Sequence, residues 1–251
     1  MGIVGKIVGG TIGFALGGPL GAVAGAVFGH AYDSSEEDPQ PNRRSYLSTL
    51  ESSQLAFFVS TFSMLAKLVN IDGRVSNEEI DAVELFATHD LKLPVQDKEI
   101  AFNVFRAALN SPAEFEDFAI QFYQHFQQQP QMIEMMVDIL LRVSVADGDL
   151  NTHEERLIKR AVEIFRFGDQ NYHQLKSRYV VVKNQAYQVL GCTPDATDEQ
   201  IKKQYRTLVH SYHPDKIASK GLPEEFLQLA HDKFRQIQTA YDEIRQERGI
   251  K

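Results

Sequence analysis

The chain predicts an all-α protein, built as an N-terminal transmembrane helix, a helical bundle and a C-terminal helical hairpin. Three observations carry this. Apolar residues recur at helical spacing in every patterned stretch from residue 55 onward, and no stretch shows the period-2 alternation of a half-buried strand. Ser76, Asn151 and Thr197 are each followed three residues later by Glu or Gln, the signature of a capped helix start. Residues 7–29 carry no charged side chain at all.

Those 23 residues would run about 35 Å as a helix, against a hydrocarbon core of about 30 Å, so residues 1–32 read as a membrane anchor. Gly5, Gly9, Gly13, Gly17, Gly21, Gly25 and Gly29 recur every fourth residue and give one face a groove without side chains, the register at which a second copy approaches closely. A homodimer through this segment is therefore expected. Glycine at this density weakens a helix in water by up to about 1 kcal/mol per residue relative to alanine, which argues against a soluble helix. Pro19 beside Gly18 marks a place for a kink or a hairpin. The competing reading is a cleaved signal peptide, because Ala22-Val23-Ala24 offers a small-residue cleavage pattern. Charge does not orient the span, since the α-amino group and Lys6 on one side balance Arg43 and Arg44 on the other.

Residues 33–45, acidic and carrying Pro39 and Pro41, read as a linker. A helical domain follows over 46–169. Leu55, Phe58, Val59, Phe62, Leu65, Ala66 and Val69 keep helical spacing, and similar patterns return at 78–88, 97–109, 113–127, 131–146 and 152–166. Within it Asp72-Gly73-Arg74-Val75-Ser76-Asn77-Glu78-Glu79 is echoed by Asp147-Gly148-Asp149-Leu150-Asn151-Thr152-His153-Glu154, 75 residues later. Glycine at a helix end, then a capped helix start, explains most of each copy. It does not explain the Asp before each glycine. Asp72, Glu79, Asp147 and Glu154 brought together would form a set of hard oxygen ligands for a divalent metal, although the offsets are not those of an EF-hand. The duplicated pattern resembles the TerB family over about residues 50–170. That resemblance implies an all-helical domain whose acidic positions are associated with metal binding. Helix capping alone and metal binding both remain open readings of the four carboxylates.

After a mixed linker over 170–183, residues 184–251 carry the chain's most informative stretch, Tyr205-Arg206-Thr207-Leu208-Val209-His210-Ser211-Tyr212-His213-Pro214-Asp215-Lys216. Ile201, Tyr205, Leu208 and Val209 form one helical stripe, which turns Lys202, Lys203, Arg206 and His210 outward as a cationic face. Pro214 disfavours α geometry at His213, so the helix is expected to end there and leave Asp215 on a loop. Phe226, Ala230, Phe234, Ile237, Tyr241 and Ile244 then repeat at helical spacing, so a second long helix is expected antiparallel to the first.

Tyr187-Gln188-Val189-Leu190-Gly191, the basic helix, His213-Pro214-Asp215 and Ala240-Tyr241-Asp242 together resemble the J-domain of DnaJ-type co-chaperones. The resemblance implies that Lys202, Lys203, Arg206, His210, His213, Pro214, Asp215 and Lys216 bind a DnaK-type chaperone and speed its ATP hydrolysis. The order of anchor, TerB-like domain and J-domain resembles membrane-anchored members of that co-chaperone group. It implies a bacterial inner-membrane protein, single-pass, with its C-terminal domains in the cytoplasm. Departures from fuller DnaJ proteins are the lack of a Gly/Phe-rich region and of a cysteine-rich zinc module, and Gln238-Thr239-Ala240 where a more basic run is common.

A net charge of −8 over 251 residues disfavours a general nucleic-acid binder. The single cysteine, Cys192, excludes an intrachain disulfide and a cysteine-based zinc site. No nucleophile elbow, Walker loop or H-E-x-x-H pattern points to an enzyme, and no cofactor is required by any motif. Two further classes stay open: a metal-responsive scaffold in which the J-domain is secondary, and a glycine-zipper envelope protein exported past the membrane.

Overall fold

The computed structural model describes residues 16–33, 48–70, 75–146, 150–179 and 185–250. Every regular element among them is helical, as the periodicity predicts. The helical domain is organised around α2 (Thr49–Val69), which opens with a capping box: Ser48 Oγ accepts from Glu51 N at 3.2 Å, and Glu51 Oε2 accepts from Ser48 N at 2.9 Å. From Leu55 to Val69 nearly every side chain is buried, polar Ser60, Thr61 and Ser63 included. A helix apolar around its whole circumference belongs in an interior. Around it pack α3 (Asn77–Leu85, ending in a π-helical turn Phe86–Asp90), α4 (Val95–Leu109), α5 (Phe115–Phe126), α6 (Pro130–Ser144) and α7 (Thr152–Ile164). Phe57 of α2 meets Phe122 and Phe126 of α5 edge to face, each at 5.8 Å, pairs worth about 0.5–1.5 kcal/mol beyond the area they bury. By length and hydropathy α2 is also the described helix capable of crossing a membrane, but its burial makes it the core of this domain.

The N-terminal segment departs from expectation in one respect. The backbone is not helical through Gly17 and Gly18: their φ values are 58° and 52°, and α1 (Gly18–Asp33) starts there, beside Pro19. Its 16 residues span about 24 Å at 1.5 Å per residue, short of a bilayer core. The break is specified by one side chain of the helical domain. Gln121 Nε2 donates to the carbonyls of Leu16 and Gly17, both at 2.8 Å, and its Oε1 accepts from Leu20 N at 2.9 Å. Leu20, Val23, Ala24 and Phe28 are buried, and α1 packs on α2, α4 and α5. Gly21 is buried with them, so part of the glycine register serves this packing. Gly5, Gly9 and Gly13 lie outside the described residues.

The stretch expected as a linker contains α8 (Asp169–Lys176), whose Tyr172 and Leu175 are buried against the domain. Gly168, at φ 83°, lets the chain leave α7 and start α8, and Glu155 of α7 fastens it by accepting from Lys176 Nζ at 2.7 Å. Val180, Val181 and Val182 lie outside the described residues.

Beyond them come α9 (Gln185–Val189), α10 (Asp198–Ser211), α11 (Pro214–Ala218), a 3-10 turn Glu224–Phe226 and α12 (Leu227–Arg248). Thr197 and Gln200 close the capping box read from sequence, with Thr197 N donating to Gln200 Oε1 at 2.8 Å and Gln200 N to Thr197 Oγ1 at 3.3 Å. Tyr205 stacks on Tyr241 at 4.0 Å while His213 meets Phe234, so α10 and α12 run antiparallel as expected. Gly249, at φ 64°, ends α12 in the left-handed cap that glycine favours. Phe226, expected at the start of the second long helix, lies in the 3-10 turn before it and enters the helical domain, its ring edge-on to Phe57 at 5.1 Å and Phe58 at 6.3 Å. A helical period fixes which side of a helix is apolar, not which neighbour covers it.

Candidate docking face

On α10, Lys203, Arg206 and His210 are exposed together and Lys202 is half-buried beside them. The helix ends at Ser211, and His213 adopts an extended ψ of 125°, as a residue before proline should. Asp215 differs from expectation. It sits in the first turn of α11 rather than on an open loop, because Pro214 at the first helical position has its φ preset for a helix and no N–H to satisfy there. Its carboxylate is nonetheless 93% exposed and stands 3.8 Å from the half-exposed His213 Nδ1. Lys216 reaches back across the turn, its Nζ 3.3 Å from His210 Nδ1. Basic helix and tripeptide thus form one exposed surface of mixed charge.

This surface is held from behind. The His213 ring meets Phe234 edge to face at 5.8 Å, which fixes the tripeptide against α12. Tyr212, one residue earlier, lies under Lys233 Nζ at 5.0 Å from its ring. Lys233 is only 7% exposed and also reaches Glu134 Oε1 at 2.9 Å and Asp138 Oδ1 at 3.9 Å, both on α6. The residue before the tripeptide is therefore tied through one ammonium to the helical domain. Arg248 clamps the far end of the hairpin, donating to Tyr187 Oη at 2.8 Å and to the Ala196 carbonyl at 2.7 Å.

The two helical units share an interface. Leu222 and Phe226 are fully buried, Gln54 Nε2 donates to the Leu222 carbonyl at 3.4 Å, and Lys220 pairs with Gln131. Gly221, at φ 94°, lies so close to Ser53 that a Cβ there would stand 2.6 Å from the Ser53 Cβ, so glycine is required for both conformation and space. Around Asp138 the interface is ionic. Burial pushes its carboxyl up, but Lys233, Arg178 and Arg142 and the Tyr179 hydroxyl outweigh this and hold it below the ordinary carboxylate range. A carboxyl depressed in the folded state contributes stability above its unfolded value of 3.8 and loses it as pH falls through the folded value. Asp138→Asn should accordingly cost about 2 kcal/mol at neutral pH, the scale of a hydrogen bond to a charged group, and the Tm gap to the parent should close below about pH 4. A gap constant from pH 7 to pH 3 would contradict this role.

The proposed acidic ligand set divides. Asp72 and Asp147 lie outside the described residues. Glu79 Oε2 accepts from Ser76 N at 2.7 Å and Glu154 Oε2 from Asn151 N at 3.3 Å, so both close capping boxes. Among the described residues no group of three or more His, Cys, Asp or Glu side chains is placed to hold a metal. Sequence reasoning missed Lys233, Arg248 and Gln121. No local pattern in the sequence marks a surface-type residue that becomes an anchor.

Three family models match in chain order: a co-chaperone DjlA transmembrane domain over residues 1–45, tellurite resistance protein TerB over 58–177, and a DnaJ domain over 185–249. Co-chaperone protein DjlA of Coxiella burnetii is 31% identical over 215 residues, covering 78% of this chain and 79% of the relative. That of Mannheimia succiniciproducens is 30% identical over the whole of both chains, and that of Shewanella oneidensis 28% identical over 208 residues, 78% of this chain and 79% of the relative. No solved structure matches the chain. Capped basic helix, His-Pro-Asp turn and supporting α12 fall inside the DnaJ match, the α2-centred bundle largely inside the TerB match and α1 inside the transmembrane match; the chain belongs to the DjlA family of J-domain co-chaperones.

Proposed function

We propose that this co-chaperone docks a DnaK-type chaperone on Lys202, Lys203, Arg206, His210 and Lys216, and that His213, Pro214 and Asp215 then raise the partner's rate of ATP hydrolysis. The observation that carries this reading is the orientation of the hairpin. Its exposed basic face and tripeptide point away from the helical domain, while Leu222, Phe226 and Lys233 secure the opposite side. A partner reaches the face without displacing the domain. Exposed charges act over about 10 Å at 0.1 M salt, so the cationic face chiefly speeds encounter and sets register. Replacing Lys202, Lys203 and Arg206 together with Ala should weaken binding about tenfold at low salt, and the difference from the parent should shrink as salt rises to roughly 0.5 M. Surface plasmon resonance against the partner at several ionic strengths checks this, and a loss independent of salt would count against electrostatic docking.

In the same reading residues 1–45 anchor the chain in the inner membrane by a single pass, and the later domains lie in the cytoplasm, where the partner finds ATP. On insertion the apolar face of α1 exchanges the helical domain for lipid or for a second copy. Lipid tails are as apolar as Leu or Val, so close backbone packing along the glycines must supply the drive to dimerise. Changing Gly13, Gly17 and Gly21 to Leu should leave membrane insertion intact and remove crosslinked dimers. Undiminished crosslinking would mean that the glycines serve only packing within one chain.

A further inference from the structure

Between the hairpin and the helical domain lies a cavity of about 350 Å³, within the range of clefts that hold small ligands or single anchoring side chains. Its apolar lining comes from Tyr123, Ile133, Phe165 and Leu175 on one side and from Leu208 of α10 on the other. Two arginines enter it. Arg178 is 9% exposed, pairs with Glu134 Oε1 at 3.6 Å and also acts on Asp138, yet its Nε and Nη1 make no hydrogen bond. A guanidinium is a fixed fork of five donors, and donors left unbonded at that burial call for an acceptor. Arg166, exposed at the rim with its guanidinium 6.0 Å from the Tyr123 ring centre, has φ of 52°. That conformation caps the C-terminus of α7, where Phe167 N donates to the Val162 carbonyl and Arg166 N to the Glu163 carbonyl, both at 3.1 Å, and it aims the Arg166 side chain at the rim. Gln127, Gln174 and Gln204 add amides that both donate and accept, as an extended peptide backbone requires, and the one carboxylate of the lining, Glu134, is held by Lys233 at 2.9 Å.

We infer that this cleft binds an acidic peptide segment, with one large apolar side chain against Tyr123, Phe165 and Leu208 and an adjacent carboxylate on Arg178 and Arg166. Gln204 and Leu208 lie on the side of α10 that faces the helical domain, whereas Lys203, Arg206 and His210 lie on the exposed side. A segment seated here is one helix diameter from the docked chaperone. Its handover to that chaperone rests on the docking role assigned to α10; its binding does not.

The test is fluorescence anisotropy with the protein in detergent and two C-terminally amidated, fluorescein-labelled peptides, Gly-Ser-Leu-Phe-Asp-Glu and Gly-Ser-Leu-Phe-Asn-Gln, which differ only in the two side-chain carboxylates. The acidic peptide should bind saturably and at least about tenfold more tightly than the Asn-Gln peptide, since each charge-assisted bidentate contact is worth more than a neutral one. Arg166→Gly removes the rim charge at a position whose φ suits glycine, so the variant should keep its Tm while losing about tenfold in affinity. Arg178→Gln should lose at least as much. Absence of saturable binding, equal affinity for the two peptides, or undiminished binding by Arg166→Gly would each overturn the inference. ATPase stimulation by the parent protein without peptide reports on chaperone docking separately, so failure of the cleft and failure of the docking face give different results.

Discussion

Asp215→Asn and His213→Gln are each expected to abolish stimulation of the partner's ATPase, by roughly ten- to a hundredfold, with helix content and Tm unchanged. The magnitude is that of losing one hydrogen bond to a charged group, about 1.5–3 kcal/mol. The fold is spared because the Asp215 carboxylate is 93% exposed, 3.8 Å from His213 Nδ1, while the His213 side chain is half-exposed and packs one ring contact on Phe234. Substitutions at such positions cost within about 0.5 kcal/mol. Circular dichroism and steady-state ATPase on the same preparations check both halves. Retained stimulation by a folded variant would remove the tripeptide from the mechanism, and loss of the fold would make it structural.

Phe226→Ala should produce the largest loss of stability. The ring is fully buried where the hairpin enters the helical domain, edge-on to Phe57 and Phe58, and Phe57 in turn packs on Phe122 and Phe126. Deleting it leaves a cavity at the junction of two units and costs about 3–5 kcal/mol, or about 10 °C in Tm for a protein of this size. Phe226→Leu, which keeps much of the volume, should cost well under half of that. Differential scanning calorimetry decides between these values, and an Ala variant that melts within 2 °C of the parent would show that Phe226 does not hold the units together.

What was legible in the sequence is local. Ser76 with Glu79, Asn151 with Glu154 and Thr197 with Gln200 predict capping boxes because the bonded groups are three residues apart, and all three form. The apolar face of α2 and the antiparallel hairpin followed from period alone, whereas the burial of α2 on every side did not. The order of anchor, helical domain and hairpin was legible from composition and spacing, and the family matches bear out that identification. The pairings of distant residues were not legible. Gln121 grips the start of α1 about a hundred residues away, Lys233 reaches α6, and Phe226 finds Phe57. Each of these side chains has an ordinary place in its own helix, and only the packing of helices against each other gives it a second partner. The helix α8 was missed for a related reason. Tyr172 and Leu175 are too few to show a period, and Gly168 before them reads as punctuation. Two local rules meet at Asp215: the one for a residue before proline describes His213, while the preference of proline for the first turn of a helix places Asp215 in α11.

The central claim is that the surface formed by α10 and the His213-Pro214-Asp215 turn acts on a DnaK-type chaperone while the rest of the chain holds it from behind. Single-turnover hydrolysis of ATP preloaded on that chaperone, with increasing amounts of the full-length chain in vesicles, tests it most directly. The account predicts a rate that rises at least about tenfold and saturates with added chain; a rate that stays at the chaperone's own value across the titration would contradict it.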